Sequence, residues 1–148
     1  FMSTSRIEEV ENHVFKESSR INSTWGGNLV DMVRSQQFLE IIEEDNLVEN
    51  AAKVGSYLLK KLEQLQSKYS SIMSNARGKG LMCAFDCKTP ALCSKIISEA
   101  YKLGVMLISC GTQTIRYRPF LDCEKRDVDE MVSVLGKVLA HVSTSAKL

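Results

Sequence analysis

The stretch RGKGLMCAFD, residues 77–86, is the point at which this sequence changes from a helical to a strand-like pattern. Upstream of it, apolar residues recur every three or four positions, whereas Leu81, Cys83 and Phe85 stand at every second position. A period of two is typical of a strand with one buried face. The pattern therefore predicts a β-strand that is entered through the two glycines of the stretch.

Two helices are predicted before this strand. Residues 27–44 carry apolar residues at helical spacing with charged residues between them. A second apolar stripe runs from Leu47 to Tyr69 in steps of three or four, which draws one face of a longer helix. Asn46 and Glu49 have the spacing of a capping box. The break between the two helices is therefore expected near Asn46.

A helix, two strands and a last helix are predicted after it. Thr89 is a typical N-cap because a proline follows it, and Gly104 is a typical residue to close that helix. Residues 105–109 have the pattern of a short buried strand, and residues 114–118 form the next strand after a tight hairpin connection. Asp122 is expected to cap the last helix.

This order of elements predicts an α+β fold. A small, mostly antiparallel sheet would carry helices on one face, because each helix after the first has one apolar stripe to bury. The helix at 27–44 stands ahead of that unit and is expected to link it to other parts of a protein.

Composition excludes several classes of function. The chain has 148 residues and a net charge of +1, so no nucleic-acid partner is expected. No apolar run is long enough to span a bilayer, so no membrane role is expected either. The five cysteines form no metal-ligand spacing and predict free, mostly buried thiols in a cytoplasmic protein, with no metal site.

The stretch RINSTWGGN, residues 20–28, allows two interpretations. The hydroxyls of Ser23 and Thr24 and the paired glycines stand directly before a predicted helix, where unpaired backbone N–H groups favour a phosphate. Capping of the helix by Asn28 or Thr24, with the glycines turning the chain, explains the same residues.

The stretch TIRYRP, residues 114–119, also allows two interpretations. Alternation along a strand places Arg116 and Arg118 on one face, where they can bind a carboxylate through paired hydrogen bonds. A solvated face with surface ion pairs is the alternative. The glycines of RGKG, residues 77–80, predict a turn in preference to a phosphate loop.

Five stretches, taken in order, resemble the C-terminal part of the class III aminotransferases, which are pyridoxal-phosphate enzymes of fold type I. The resemblance extends from about residue 6 to residue 142. Because the five stretches occur in the same order as in the family, the resemblance is more specific than any one motif. The stretches are RINSTWGGNLVDMVRSQQFLEII, LVENAAKVGSYLLKKLEQL, ARGKGLMCAFD, GVMLISCG and TIRYRPFL.

The resemblance implies a cofactor, substrates and an assembly. The cofactor is pyridoxal 5'-phosphate, and Thr24, with Ser23 beside it, matches the position that binds its phosphate across the interface of a homodimer. Arg116 matches the arginine that receives the substrate carboxylate and that can pair with a glutamate when the substrate has no carboxylate there, with Arg118 in a supporting role. The implied reaction moves a terminal amino group, above all the 6-amino group of L-lysine, to 2-oxoglutarate. Amino groups of 4-aminobutyrate and ornithine are the alternatives.

The resemblance also implies which parts are missing. The family's Schiff-base lysine lies upstream of the matching segment, and Lys16, in the context HVFKESS, does not match it. No catalytic residue is therefore expected in this chain, which on its own would be inactive. By the same resemblance, residues 1–26 are the tail of the cofactor-binding large domain, residues 27–45 an interdomain helix, and residues 46–148 the small domain.

Three functional hypotheses follow. A segment of an aminotransferase predicts an exposed apolar surface on the helix at 27–44, because the large domain that would cover it is absent. A stand-alone α+β binding module predicts a closed surface and a pocket near Arg116. A truncated, inactive relative that serves as an interaction partner predicts a start site near residue 1 in the encoding DNA.

Overall fold

The computed structural model describes residues 4–145, and it divides into two units whose boundary lies between Ile41 and Ile42. The first unit contains a short 3-10 turn at Ser5–Glu9 and most of helix α1 (Leu29–Glu44). The second unit contains the sheet and the remaining helices. Residues 1–3 and 146–148, to which the expected domain boundaries extend, lie outside the described part.

Helix α1 exposes a broad apolar surface. None of its residues is buried, and Val30 is 63% and Val33 70% exposed. The helix begins two residues later than predicted because Asn28 caps it: the Val30 N–H donates to Asn28 Oδ1 at 2.9 Å. An uncovered apolar surface is what the hypothesis of an aminotransferase segment predicts for this helix.

The second unit is a four-stranded sheet with helices on one face, which confirms the predicted α+β class. The strands pair in the order β1-β2-β4-β3, and every pair is antiparallel. Their bounds are β1 Met73–Lys79, β2 Met82–Cys87, β3 Ile108–Cys110 and β4 Thr114–Tyr117. The helices are α2 Leu47–Lys68, α3 Pro90–Lys102 and α4 Lys125–Ser145.

The core lies between the three helices and one face of β2 and β4. Every second residue of these strands is buried, and the residues between them are only partly covered. Phe85 and Ile115 are completely buried against helix residues such as Leu58 and Leu139. Burial of each such side chain stabilises the fold by about 1.5–3 kcal/mol.

The strand predicted after the two glycines of residues 77–86 is confirmed as β2, but the same stretch also contains the end of β1, which was not predicted, and the chain reverses between the two strands. Gly80 and Leu81 form a tight turn between β1 and β2. Gly80 has φ +55°, which favours glycine. A Cβ atom on Gly55 of α2 would lie 2.0 Å from the Gly80 carbonyl oxygen, so helix and turn meet backbone to backbone. The prediction of a turn at RGKG is confirmed at Gly80.

The strand predicted at 105–109 is shifted from its expected place. Strand β3 begins at Ile108, and all three of its residues are exposed, so it is not the buried strand that was expected. Only Leu107 of the predicted stretch is buried. β3 lies at the edge of the sheet, where one side of the strand has no neighbour and three residues suffice to pair with β4.

Two helix caps differ in outcome. Thr89 caps α3 as predicted, since its Oγ1 accepts from the Leu92 N–H at 3.2 Å. Asn46 precedes α2 as predicted, but its backbone is left-handed, with φ 52°. Its side chain therefore makes no capping hydrogen bond, and the expected capping box is absent.

The cap predicted at Asp122 is wrong. Helix α4 begins at Lys125, and its first backbone hydrogen bond runs from the Val128 N–H to the Glu124 carbonyl oxygen. Asp127 then reaches back, and its Oδ2 accepts from the Glu124 N–H at 2.8 Å. This is the reciprocal half of a capping box, and it fixes the start of the helix two residues later.

We expect Gly55→Ala to destabilise the chain by about 3 kcal/mol, because the new methyl group would overlap backbone atoms that cannot move independently. Urea unfolding followed by circular dichroism measures the change. Gly136→Ala is the matched control: its Cβ would lie 3.7 Å from Leu65 Cδ2, and it should stabilise helix α4 by roughly 0.5–1 kcal/mol. Equal midpoints for the two variants would contradict the close approach of α2 and the turn.

Tyr117 buries a hydroxyl group that has no hydrogen-bond partner among residues 4–145. Its neighbours in the core include the Phe85 ring, 6.4 Å away between ring centres. Tyr117→Phe removes the unpaired hydroxyl and keeps the ring, so we expect the free energy of unfolding to rise by about 1 kcal/mol. The same urea titration tests this. A drop of that size would mean that the hydroxyl has a partner in solution.

Candidate functional site

The sheet face opposite the helices, here called the open face, carries polar side chains from three strands. Its central row consists of Arg77 on β1, Ala84 on β2 and Arg116 on β4, which are partners in the ladders. The next row pairs Asp86 on β2 with Thr114 on β4. Ladder partners point to the same side, so these five residues share one surface.

Asp86 is fully engaged on the open face. It accepts from Thr114 Oγ1 at 2.6 Å, from Asn75 Nδ2 at 2.7 Å and from Arg77 Nη1 at 3.0 Å. Burial on its own would raise the pKa of the Asp86 carboxyl. The hydrogen bonds from Thr114, Asn75 and Arg77 outweigh that effect, so the pKa lies below its ordinary value and the group stays charged.

Arg116 has no such partner. It takes part in none of the ion pairs found within residues 4–145. Its Nε is buried and donates to no group in this part of the chain. A buried donor without an acceptor costs about 1–3 kcal/mol, and a planar guanidinium matches a carboxylate with two parallel hydrogen bonds. The geometry therefore suits a carboxylate ligand and does not match the alternative of surface ion pairs.

Arg118 lies outside this arrangement. It follows the last residue of β4 and is exposed, beside a surface groove that Lys79 and Phe120 also line. The predicted alternation is nevertheless confirmed, because Ile115 and Tyr117 are buried on the opposite side of the strand from Arg116.

Ser23 and Thr24 lie in an exposed turn of the first unit. The Gly26 N–H donates to the Ser23 carbonyl oxygen at 3.3 Å, and Gly27 has φ +78°. A Cβ on Gly26 would lie 2.9 Å from Ser23 Cβ, so the turn itself requires both glycines. Capping by Asn28 is confirmed, and Thr24 does not cap α1.

The turn also fits a phosphate group. Two exposed hydroxyl groups can each donate a hydrogen bond, and no atom lies within 4 Å of the place where Gly27 would carry a side chain. Donors of this kind beside an open backbone are what a phosphate dianion requires. The chemistry of Ser23 and Thr24 is therefore compatible with the predicted role, which stays a prediction.

Three buried cysteines, Cys83, Cys87 and Cys123, are poor candidates for a reactive site. Four of the five thiols are buried and all are free, as predicted, while Cys110 is exposed. Burial raises the pKa of the Cys83 and Cys123 thiols and raises that of Cys87 to about 12. Thiols in this state are protonated near neutral pH and are poor nucleophiles.

Sequence reasoning missed the partners of Asp86. Asn75 and Arg77 belong to β1, which was not predicted as a strand, and Thr114 is brought to Asp86 by pairing of β2 with β4. The one available signal was the acidic residue in an otherwise apolar alternating stretch, since a charge at such a position needs a partner.

Comparison with known proteins identifies the family. The family model described as "Aminotransferase class-III" matches residues 3–139. An L-lysine-epsilon aminotransferase from Amycolatopsis lactamdurans is 41% identical over 140 residues, which cover 94% of this chain and 31% of that protein. A mitochondrial 4-aminobutyrate aminotransferase from Sus scrofa is 35% identical over 121 residues, covering 82% of this chain and 24% of that protein.

A solved structure shows the same fold. The lysine aminotransferase from M. tuberculosis, in its internal aldimine form, matches 95% of this chain and 32% of its own chain, with 38% identity and a TM-score of 0.83. The chain thus spans about a third of the length of the relatives that it matches. Class III aminotransferases use pyridoxal phosphate, and on this evidence the chain belongs to the class III aminotransferase family.

Proposed function

We propose that this chain is the C-terminal part of a pyridoxal-phosphate-dependent aminotransferase that moves the 6-amino group of L-lysine to 2-oxoglutarate. Relatives named L-lysine-epsilon aminotransferase, at 37–41% identity over nearly the whole chain, support this donor. The proposal keeps residues 1–26 as the end of the large domain, 27–45 as the interdomain helix and 46–148 as the small domain. The uncovered apolar surface of α1 supports it, because a missing domain would bury that surface.

The observation that carries the proposal is the guanidinium of Arg116 on the open face, which has no partner within residues 4–145. Lysine and 2-oxoglutarate differ at the reacting atoms, but both present a carboxylate. The reacting nitrogen of lysine lies at the far end from its α-carboxylate, so anchoring that carboxylate fixes where the nitrogen lies. Misplacement by about 1 Å can cost roughly a hundredfold in rate, which makes this anchor effective.

Ser23 and Thr24 would hold the phosphate of the cofactor. In the proposed homodimer they serve the cofactor of the second subunit, and their hydroxyl groups donate hydrogen bonds to the phosphate oxygens. When bound, the cofactor supplies an electron sink for the bond changes at the carbon that carries the amino group. Thr24 and Ser23 take no part in those changes, since their role is to bind and orient.

This chain supplies no lysine for attachment of the cofactor. Lys16 lies in an exposed turn region and does not match the family's position. The isolated chain is therefore proposed to be inactive. Its free thiols support a cytoplasmic location, because unpaired cysteines are typical of reducing compartments. No helix of the described part is both long and apolar enough to cross a membrane.

Arg116→Lys in the complete enzyme tests the proposal. Lysine keeps the charge but loses the planar pair of donors, so we expect KM for 2-oxoglutarate to rise roughly tenfold to a hundredfold, since a hydrogen bond to a charged group is worth about 1.5–3 kcal/mol. Steady-state kinetics with L-lysine and 2-oxoglutarate measure it. Arg126→Lys, an exposed arginine on α4, is the control and should change nothing.

Two results would count against the proposal. An unchanged KM for Arg116→Lys would remove this residue from carboxylate binding. A complete enzyme that turns over 4-aminobutyrate or ornithine in preference to L-lysine would overturn the assignment of the donor and leave the family unaffected.

Thr24→Ala should weaken retention of pyridoxal phosphate by roughly tenfold, because one charge-assisted hydrogen bond to the phosphate is lost. Dialysis of the complete enzyme, followed by the absorbance of the cofactor that stays bound, measures this. The control is Thr144→Ala, whose hydroxyl donates only to the Ala140 carbonyl oxygen of its own helix. Equal retention in the two variants would exclude Thr24 from the phosphate site.

A further inference from the structure

The open face places a carboxylate beside the proposed substrate-binding arginine. Arg116 pairs with Ala84, and Asp86 is two residues further along the same strand. Diagonal neighbours of this kind lie about 7–8 Å apart at the backbone, within reach of a long side chain. An arginine and an aspartate so placed can form an ion pair, yet among the described residues Arg116 forms none.

Asp86 is kept from Arg116 by three other donors. Thr114 and Asn75 donate neutral hydrogen bonds, and Arg77 supplies the only cation paired with Asp86 in this part of the chain. The open face therefore holds two guanidinium groups on either side of Ala84, of which only Arg77 is neutralised.

An irregularity in β1 places two of these donors, Asn75 and Arg77. The pairing of β1 with β2 shifts between Ser74 and Arg77, and Asn75 has a left-handed backbone with φ 54°. The Arg77 side chain bridges the irregular segment and β2, because its Nη1 donates to the Asn75 carbonyl oxygen at 2.9 Å and also to Asp86. Bulges of this kind re-aim side chains at functional sites.

We propose that Arg77 is a specificity-determining residue that, by holding Asp86, keeps Arg116 available for the carboxylate of the substrate. The inference rests on the function proposed for Arg116. Without Arg77, the charge of Asp86 loses its paired cation, and Arg116 lies diagonal to it in the ladder of β2 and β4. If the Asp86 carboxylate paired with Arg116, it would compete with the carboxylate of every substrate. The steps after substrate binding would not be affected by this competition.

Arg77 acts at this site without supporting the core. Its side chain is 46% exposed, and within residues 4–145 it forms hydrogen bonds with Asn75 and Asp86 only. Asp86 is the ladder partner of Thr114, and Thr114 precedes Arg116 by two residues on the same face of β4. A loss of Arg77 therefore changes the charge balance beside Arg116 and leaves the buried face of the sheet intact.

Arg77→Met in the complete enzyme tests the inference. We expect KM for 2-oxoglutarate and the Kd of glutarate, an unreactive dicarboxylate, each to rise about tenfold, with kcat nearly unchanged. Kinetics give the first value and titration calorimetry the second. The double variant Arg77→Met/Asp86→Asn should recover most of the lost affinity, because no carboxylate then competes for Arg116. Lys102→Met removes a cation from an exposed ion pair with Glu99 and is the matched control.

The double variant separates this role from a structural one. If Arg77 only stabilised the hairpin, removing the charge of Asp86 would not restore binding, and a double variant as impaired as the single one would overturn the inference. Arg77→Lys, which keeps the cation, should bind glutarate nearly as well as the parent. If it is instead as impaired as Arg77→Met, the charge is not what matters and the inference fails.

The test also distinguishes the two proposals. If Arg116→Lys weakens binding of glutarate and Arg77→Met does not, Arg116 keeps its proposed role and only the inference about Arg77 is overturned. If Arg116→Lys leaves binding unchanged, the function proposed for Arg116 fails, and the inference fails with it.

Discussion

Side chains on a strand alternate between two faces, and in this fold helices cover only one of them. The buried residues of β2 and β4, such as Phe85 and Ile115, lie on the covered face, so the side chains between them share the other face. This constraint gathers Asp86, Thr114 and Arg116 on the open face although 28 residues separate Asp86 from Thr114 along the chain. The roles proposed for Arg116 and Arg77 in carboxylate binding depend on that proximity.

The backbone contact between Gly55 and Gly80 ties this surface to the helices. It fixes where the chain turns between β1 and β2, and the turn sets which residues of the two strands are partners. Moving the turn by one residue would send Arg77 to the opposite face, away from Asp86. A contact on the buried side thus determines the electrostatics of the open side.

The sequence predicted the elements that bury a regular stripe and missed those that do not. β4 was found within one residue because Ile115 and Tyr117 alternate with polar residues, and the orientation of Arg116 followed from this. β1 was missed because Met73 is its only buried residue, which leaves no period of two to read. The partners of Asp86 depend on pairing between distant strands, and local patterns carry no information on such pairing.

The central claim is that Arg116, which has no partner within residues 4–145, binds the carboxylate of the substrate. A crystal structure of the complete enzyme with bound glutarate tests it most directly. The account predicts a carboxylate within hydrogen-bond distance of Arg116, with the ion pair between Arg77 and Asp86 intact beside it. A carboxylate bound elsewhere, with Arg116 paired to Asp86 or to another residue of the protein, would contradict the account.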